Sequence, residues 1–121
     1  MQIAQKNFYK KFWGRLGEKK AEEYLKNQGY KILALNYKTH FGEIDIICKD
    51  KEVIVFVEVK TRKNDAFGSP AEAVNRVKQQ KYFKVATEYL IKNKLNSLEC
   101  RFDVVEISDN KINHIKDAFC M

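Results

Sequence analysis

The chain has 121 residues, 45% of them hydrophobic and 32% charged, with a formal net charge of +7. This length fits a single domain over residues 1–121, able to bury roughly two thirds of the surface its unfolded form exposes, so folding requires neither a disulfide nor a structural metal. No apolar run approaches the roughly 20 residues of a membrane span. The opening MQIAQKNFYKKFW lacks the apolar core of a signal peptide, and Cys48, Cys100 and Cys120 form no CxxC pair. The expectation is a cytoplasmic protein with reduced thiols, no zinc site and no membrane contact.

The charge is unevenly placed. Up to His40 there are nine Lys plus Arg against three Glu, a net +6. Cations gathered in one region suit a polyanion such as nucleic acid, whose phosphates release counterions when neutralised. A lysine-rich solvated surface accounts for the same count.

From about Phe8 to Asn27, residues Phe8, Phe12, Leu16, Ala21, Tyr24 and Leu25 recur as on the buried face of an amphipathic helix, and Gly29 supplies its stop. Glu18 and Glu22 share a stripe of that helix. Lys10, Lys11, Arg15, Lys19 and Lys20 make its exposed side basic, and Trp13 reads as a packing residue. YKILALNY, Tyr30 to Tyr37, alternates as a strand. Phe41 to Arg62, FGEIDIICKDKEVIVFVEVKTR, then reads as two strands around a turn at Lys49-Asp50-Lys51. Tyr37 and Phe41 read as core.

TRKNDAFGS is a polar loop carrying Arg62 and Lys63. Ser69-Pro70-Ala71-Glu72 has the form of a helix start, with Ser69 as cap and Pro70 at the first helical position. The helix is expected to run to about Lys92, with Ala73, Val77, Tyr82, Val85, Ala86, Tyr89 and Leu90 as its apolar stripe. Arg76, Lys78, Lys81 and Lys84 then fall on its other faces. RFDVVEIS and KINHIKDAF close the chain as strands around Asp109-Asn110. The order α-β-β-β-α-β-β predicts an α/β fold with a mixed five-stranded sheet flanked by helices. The third and fourth strands, joined by a helical crossover, should be parallel neighbours, and the other pairs antiparallel.

The chemistry lies in the hairpin. Glu43 and Asp45 alternate with Ile44 and Ile46, and Glu58 shares a strand face with Lys60, so antiparallel pairing can bring Asp45 near Glu58 and Lys60. Two carboxylates about 4 Å apart repel by roughly 4 kcal/mol at an effective dielectric of about 20, a large part of a small domain's net stability. A divalent cation reverses that penalty. One or two carboxylates with open positions for water and phosphate is the pattern of magnesium. A salt bridge between Glu58 and Lys60 at an exposed strand end is the simpler account of any single x-Glu-x-Lys. Here the apolar run, the second acidic strand, the basic loop and the basic helix all agree on a site. His40 and His114 lack the local spacing of a histidine-based nuclease, and His114 reads as an ordinary strand residue.

Asp45 followed by Glu58-Val59-Lys60 resembles the PD-(D/E)xK nuclease signature. The fuller text, GRLGE, GYKILALNY, GEIDII, VFVEVKTR, FGSPAEAV and RFDVV, resembles the YraN-like uncharacterised bacterial family over nearly the whole chain. The resemblance implies a restriction-endonuclease-like core, similar to archaeal Holliday junction resolvases. It implies a nucleic-acid phosphodiester hydrolase, endonuclease-like, acting on structured or branched DNA with Mg2+ or Mn2+.

Carried over residue by residue, Asp45 and Glu58 are metal ligands, Lys60 is the catalytic lysine, Glu18 adds a helix carboxylate to the site, and Glu43 is an auxiliary ligand. Ile44 stands where the signature has proline. Arg15, Lys19, Arg62, Lys63, Arg76 and Lys78 are the expected nucleic-acid contacts, and a homodimer follows by analogy with the resolvases. Two further readings stand beside this one: a non-catalytic nucleic-acid-binding or adaptor module on the same fold, and an RNA-processing nuclease.

Overall fold

In a computed structural model the described residues are 2–62, 75–109 and 111–120, with side chains from residue 14 onward. The elements are α1 (Gln2–Asn27), β1 (Lys31–Thr39), β2 (Gly42–Asp50), β3 (Val53–Arg62), α2 (Arg76–Lys92), β4 (Cys100–Ser108) and β5 (Lys111–Phe119). The five strands lie side by side in chain order. β3 and β4 are parallel, and the remaining neighbours are antiparallel. This is the expected α/β arrangement of a mixed sheet between two helices.

The two faces of the sheet have separate cores. Ala21 and Leu25 of α1 pack with Ile46, Cys48, Val55, Val57, Val105 and Ile107. Tyr82, Val85, Ala86 and Tyr89 of α2 pack with Ile47, Phe56, Phe102 and Val104 on the other side. Covering both faces explains why β3 carries the continuous apolar run Ile54 to Val57, every residue of it buried. The outer strands β1 and β5 keep an exposed face and a mixed composition. Among the described residues no helix is long and apolar enough to cross a membrane.

α1 begins at Gln2, earlier than Phe8, because nothing in QIAQKN breaks a helix. It ends where Gly29 predicted. Gly29 takes φ 92°, its N–H bonds Lys26 O at 3.0 Å, and the Tyr30 N–H returns to Leu25 O at 3.0 Å. Those two bonds with buried Leu25 and Tyr30 make a Schellman stop.

α2 begins at Arg76. Asn75 caps it, extended at φ −72° and ψ 169°, with its side chain accepting from the Lys78 N–H at 2.9 Å. The start expected at Ser69, Pro70 and Glu72, and Ala73 of the expected stripe, lie in 63–74, outside the described residues. Within α2 the buried stripe is Tyr82, Val85, Ala86, Tyr89 and Leu90. One helical turn back from Tyr82, this stripe arrives at Lys78, so Val77, expected inside, is 64% exposed. Leu16 and Phe41, also expected in the core, are exposed as well, Phe41 in the turn between β1 and β2.

Candidate active site

The β2–β3 ladder runs from Asp50↔Val53 to Ile46↔Val57 and goes no further. Beyond it Asp45 turns its side chain toward β3, and its Oδ2 accepts the Val59 N–H at 2.8 Å. A carboxylate thereby replaces the backbone partner that the ladder would have supplied, and the strands part around it. Glu58 projects into the opening, 7% exposed. The hairpin thus brings Asp45, Glu58 and Lys60 together as expected, but through a broken ladder and not by strict alternation, since Ile44 packs in the core under α2 and Ile46 in the core under α1.

Glu58 is the centre of the cluster. Lys78 Nζ lies 2.7 Å from its Oε1 and Lys60 Nζ 3.4 Å from the same atom, while the Tyr82 hydroxyl donates to Oε2. Burial works against its charge, but the bonds from Lys78 and Tyr82 hold its carboxyl below the ordinary glutamate range. Asp45 goes the other way. Burial, and then the neighbouring Glu58 charge, push its carboxyl up to about 8, and a hydrogen bond between the two side chains adds to the rise. The two carboxyls of the pair are thus pushed apart, Asp45 upward and Glu58 downward.

The lysines divide in the same manner. Burial lowers Lys60, and Lys78 repels it in spite of the attraction of Glu58. Lys78 is raised because its bond and charge interaction with Glu58 outweigh burial.

A cavity of about 500 Å3 opens over this group. Glu43, Asp45 and Glu58 line one wall, and Asn75, Lys78 and Tyr82 from the start of α2 line the other. Glu18 faces a smaller neighbouring hollow with Arg15, Lys19 and Asn36. The Asn36 amide, oriented to donate, reaches Glu18 Oε1 at 2.7 Å and Glu43 Oε1 at 3.1 Å. Asn36 sits at φ 50° in β1, a left-handed conformation that asparagine tolerates. Burial, with Glu43 next in size, raises the Glu18 carboxyl above its ordinary value. The four acids thus stand as two pairs, Asp45 with Glu58 and Glu18 with Glu43.

The donor set is all oxygen and suits a hard cation. The Lys78 ammonium on Glu58 already marks a place where positive charge is held. Among the described residues no three His, Cys, Asp or Glu side chains gather into a metal cage. Asp45 and Glu58 are the pair that could hold such an ion, with water completing its shell. Glu43, expected as an auxiliary ligand, lines the same cavity and is also linked through Asn36 to Glu18.

Of the expected nucleic-acid contacts, Arg15, Lys19 and Arg76 are exposed. Arg62 binds Glu106 at 2.7 Å, which places much of its charge inside the protein. Lys63 is outside the described residues. Lys78, expected as a nucleic-acid contact off the apolar stripe, has its ammonium on Glu58, and Tyr82, expected only as core, donates its hydroxyl to the same carboxylate. Their four-residue spacing on one helix stripe was the signal available.

A second polar cluster was missed entirely. Asp103, fully buried, accepts from Arg101 Nε at 3.0 Å and from the Asp117 N–H at 3.0 Å, and meets His114 Nε2 at 2.7 Å. His114 is therefore no ordinary strand residue. Its Nδ1 lies 3.1 Å from the Tyr24 hydroxyl, which joins β5 to α1.

Comparison with known proteins agrees with the motif text. A family model described as uncharacterised protein family UPF0102 matches residues 17–107. A UPF0102 protein of Alkaliphilus oremlandii is 49% identical over 112 residues, covering 88% of this chain and 96% of its own length. One from Clostridium tetani is 49% identical over 119 residues, covering 93% and 98%. A third, from Thermodesulfovibrio yellowstonii, is 52% identical over 106 residues, covering 88% and 94%. The match takes in Glu18, both strands of the acidic hairpin, α2 and Asp103, and the chain belongs to the UPF0102 family of uncharacterised proteins.

Proposed function

We propose that the protein is a metal-dependent nuclease that hydrolyses phosphodiester bonds in nucleic acid, with structured or branched DNA as its substrate. One observation supports this reading: a carboxyl pair, half-buried Asp45 and buried Glu58, meets two lysine ammoniums on a single carboxylate at the wall of an open cavity. A surface that only binds nucleic acid needs the cations and gains nothing from the acids. Acids and cations converging on one point suit a reaction in which charge develops on a phosphate.

Mg2+ or Mn2+ held by Asp45 and Glu58 would supply Lewis-acid charge at the scissile phosphate. The remaining work belongs to the chain. Lys60 Nζ, its proton affinity lowered by burial, is suited to orient the attacking water and accept its proton. Tyr82 fixes the Glu58 rotamer through Oε2. The exposed Arg15, Lys19 and Arg76 supply charge for the flanking phosphates.

The test is a cleavage screen with Mg2+ or Mn2+ over a four-way junction, a flap, a duplex and a single strand, each made in DNA and in RNA. Cleavage is expected to fall roughly a hundredfold or more in Lys60→Ala and Asp45→Ala, while nucleic-acid affinity changes only severalfold. Absence of cleavage on every substrate, with binding intact, overturns the reading in favour of an adaptor. Cleavage confined to RNA replaces the substrate class.

A further inference from the structure

The metal-dependent reading leaves the position of Lys78 without a task. It enters from α2, on the wall opposite the acids, and its Nζ occupies Glu58 Oε1 at 2.7 Å, closer than Lys60 at 3.4 Å. Its side chain is 37% exposed while that of Glu58 is 7% exposed, so the lysine has room to leave and the carboxylate does not. Asn75 anchors the first turn of α2 through the Lys78 N–H. The backbone of Lys78 is thereby fixed and only its flexible stem needs to move. Lys81 lines the same cavity and adds to the repulsion that a second cation on this wall would meet.

We propose that Lys78 is the built-in counter-ion of Glu58: it competes with a divalent cation for that carboxylate and, once displaced, swings into the cavity to hold a phosphate oxygen of the substrate. The inference rests on the metal-site reading above and deepens it by giving the site an order of events. Without a cation, the ammonium offsets the charge of Glu58 and keeps the paired acids from opening the fold. A cation arriving on Asp45 and Glu58 repels Lys78 from Oε1. The released ammonium then faces the space where an anionic ligand enters. A phosphate that captures Lys78 makes cation binding easier, and by linkage the cation strengthens phosphate binding to the same extent. Lys78 is thus a competitor of the cation for Glu58 and, once released, a contact for the substrate.

Calorimetric titration of Mn2+ into wild type, Lys78→Gln and Lys78→Arg, without nucleic acid, tests the first half. Lys78→Gln is expected to bind Mn2+ about tenfold more tightly than wild type, and Lys78→Arg within about twofold of it, since arginine keeps the competing charge. Equal or weaker binding by Lys78→Gln overturns the role of Lys78 and leaves the metal site standing. Failure of all three proteins to bind Mn2+ overturns the metal site itself. A measurement on wild type covers the case in which a variant does not fold: the ammonium resonance of 15N-labelled Lys78 should shift when Mg2+ is added, and an unmoved signal refutes displacement.

Anisotropy of a fluorescent DNA duplex at fixed ionic strength tests the second half. Mg2+ should raise duplex affinity several times more in wild type than in Lys78→Gln. An equal gain in both shows that the released lysine does not reach the phosphate.

Discussion

Asp45 keeps a proton that an unfolded aspartate gives up. An unfolded aspartate ionises near pH 4, whereas burial and then Glu58 push Asp45 up to about 8. Between those values folding takes up a proton, so the metal-free protein loses stability as pH rises from about 4 to about 8. Asn at this position keeps an oxygen for the Val59 N–H, adds a donor toward Glu58 and does not titrate. Asp45→Asn should therefore be about 1–3 kcal/mol more stable than wild type at pH 8 without cation, after allowance for partial exposure. The gain should vanish toward pH 4. Urea unfolding at several pH values measures it; a variant that is less stable at pH 8 would mean that Asp45 is ionised and well paired. Asp45, Glu58 and Lys60 were legible because charges that interrupt a two-residue apolar alternation need a reason. Lys78 was one of four lysines in α2, and Tyr82 fitted the apolar stripe by its ring, which hid the task of its hydroxyl.

Glu18 stands in the hollow beside the acidic hairpin where α1 lies close against β3, and Gly17 sets that distance. A Cβ built on Gly17 overlaps Thr61 Oγ1 but stays 3.4 Å from Thr61 Cβ. The obstacle is thus the hydroxyl of one side chain. Glycine inside a helix costs up to about 1 kcal/mol relative to alanine, a cost maintained here for close approach. Gly17→Ala should destabilise the protein and weaken cleavage together, by pushing Glu18 and its Asn36 bond out of register. Thr61→Ala removes Oγ1, so the double variant should regain most of both losses. Thermal melting and cleavage of the four proteins make a double-mutant cycle, and purely additive effects would show that the two residues do not press on each other. The helix itself was legible from its apolar period and from Gly29. Which face of it must lie nearest the sheet was not, because Gly14 and Gly17 look alike in sequence, and among the described residues a Cβ at Gly14 meets nothing within 4 Å.

Across the whole molecule the ionisable groups divide into those that strain the fold and those that hold it. The Asp103 cluster belongs to the second kind. Besides Arg101, His114 and the Asp117 N–H, it draws in Asp50 of β2, 3.1 Å from Arg101 Nη1, and the Tyr30 hydroxyl, 2.7 Å from Nη2. One buried carboxylate therefore ties β4 to β5, β2, α1 and the turn after α1. Burial opposes its charge, yet the His114, Arg101 and Asp117 bonds hold Asp103 below the usual aspartate range. The stability this contributes is present above about pH 4 and lost as pH falls through the lower folded value.

This clamp was not legible in the sequence. RFDVV and KINHIKDAF read as strands, but His114 meets a tyrosine 90 positions away, and only the folded chain brings that pair together. Removing the fully buried carboxylate leaves the half-buried Arg101 guanidinium to Asp50 and Tyr30 alone and undoes the bonds from Arg101, His114 and the Asp117 N–H at once. Asp103→Ala should cost about 3–5 kcal/mol, within a total of about 5–15 kcal/mol for a domain of this kind. The two aspartates thus make opposite predictions: Asp45→Asn should raise the denaturation midpoint at pH 8 while lowering the cleavage proposed above, whereas Asp103→Ala should lower the midpoint. Any cleavage lost in Asp103→Ala should follow the unfolded fraction. If it loses cleavage while fully folded, as judged by circular dichroism at the assay temperature, the cluster acts on the reaction directly and the division between strain and support fails.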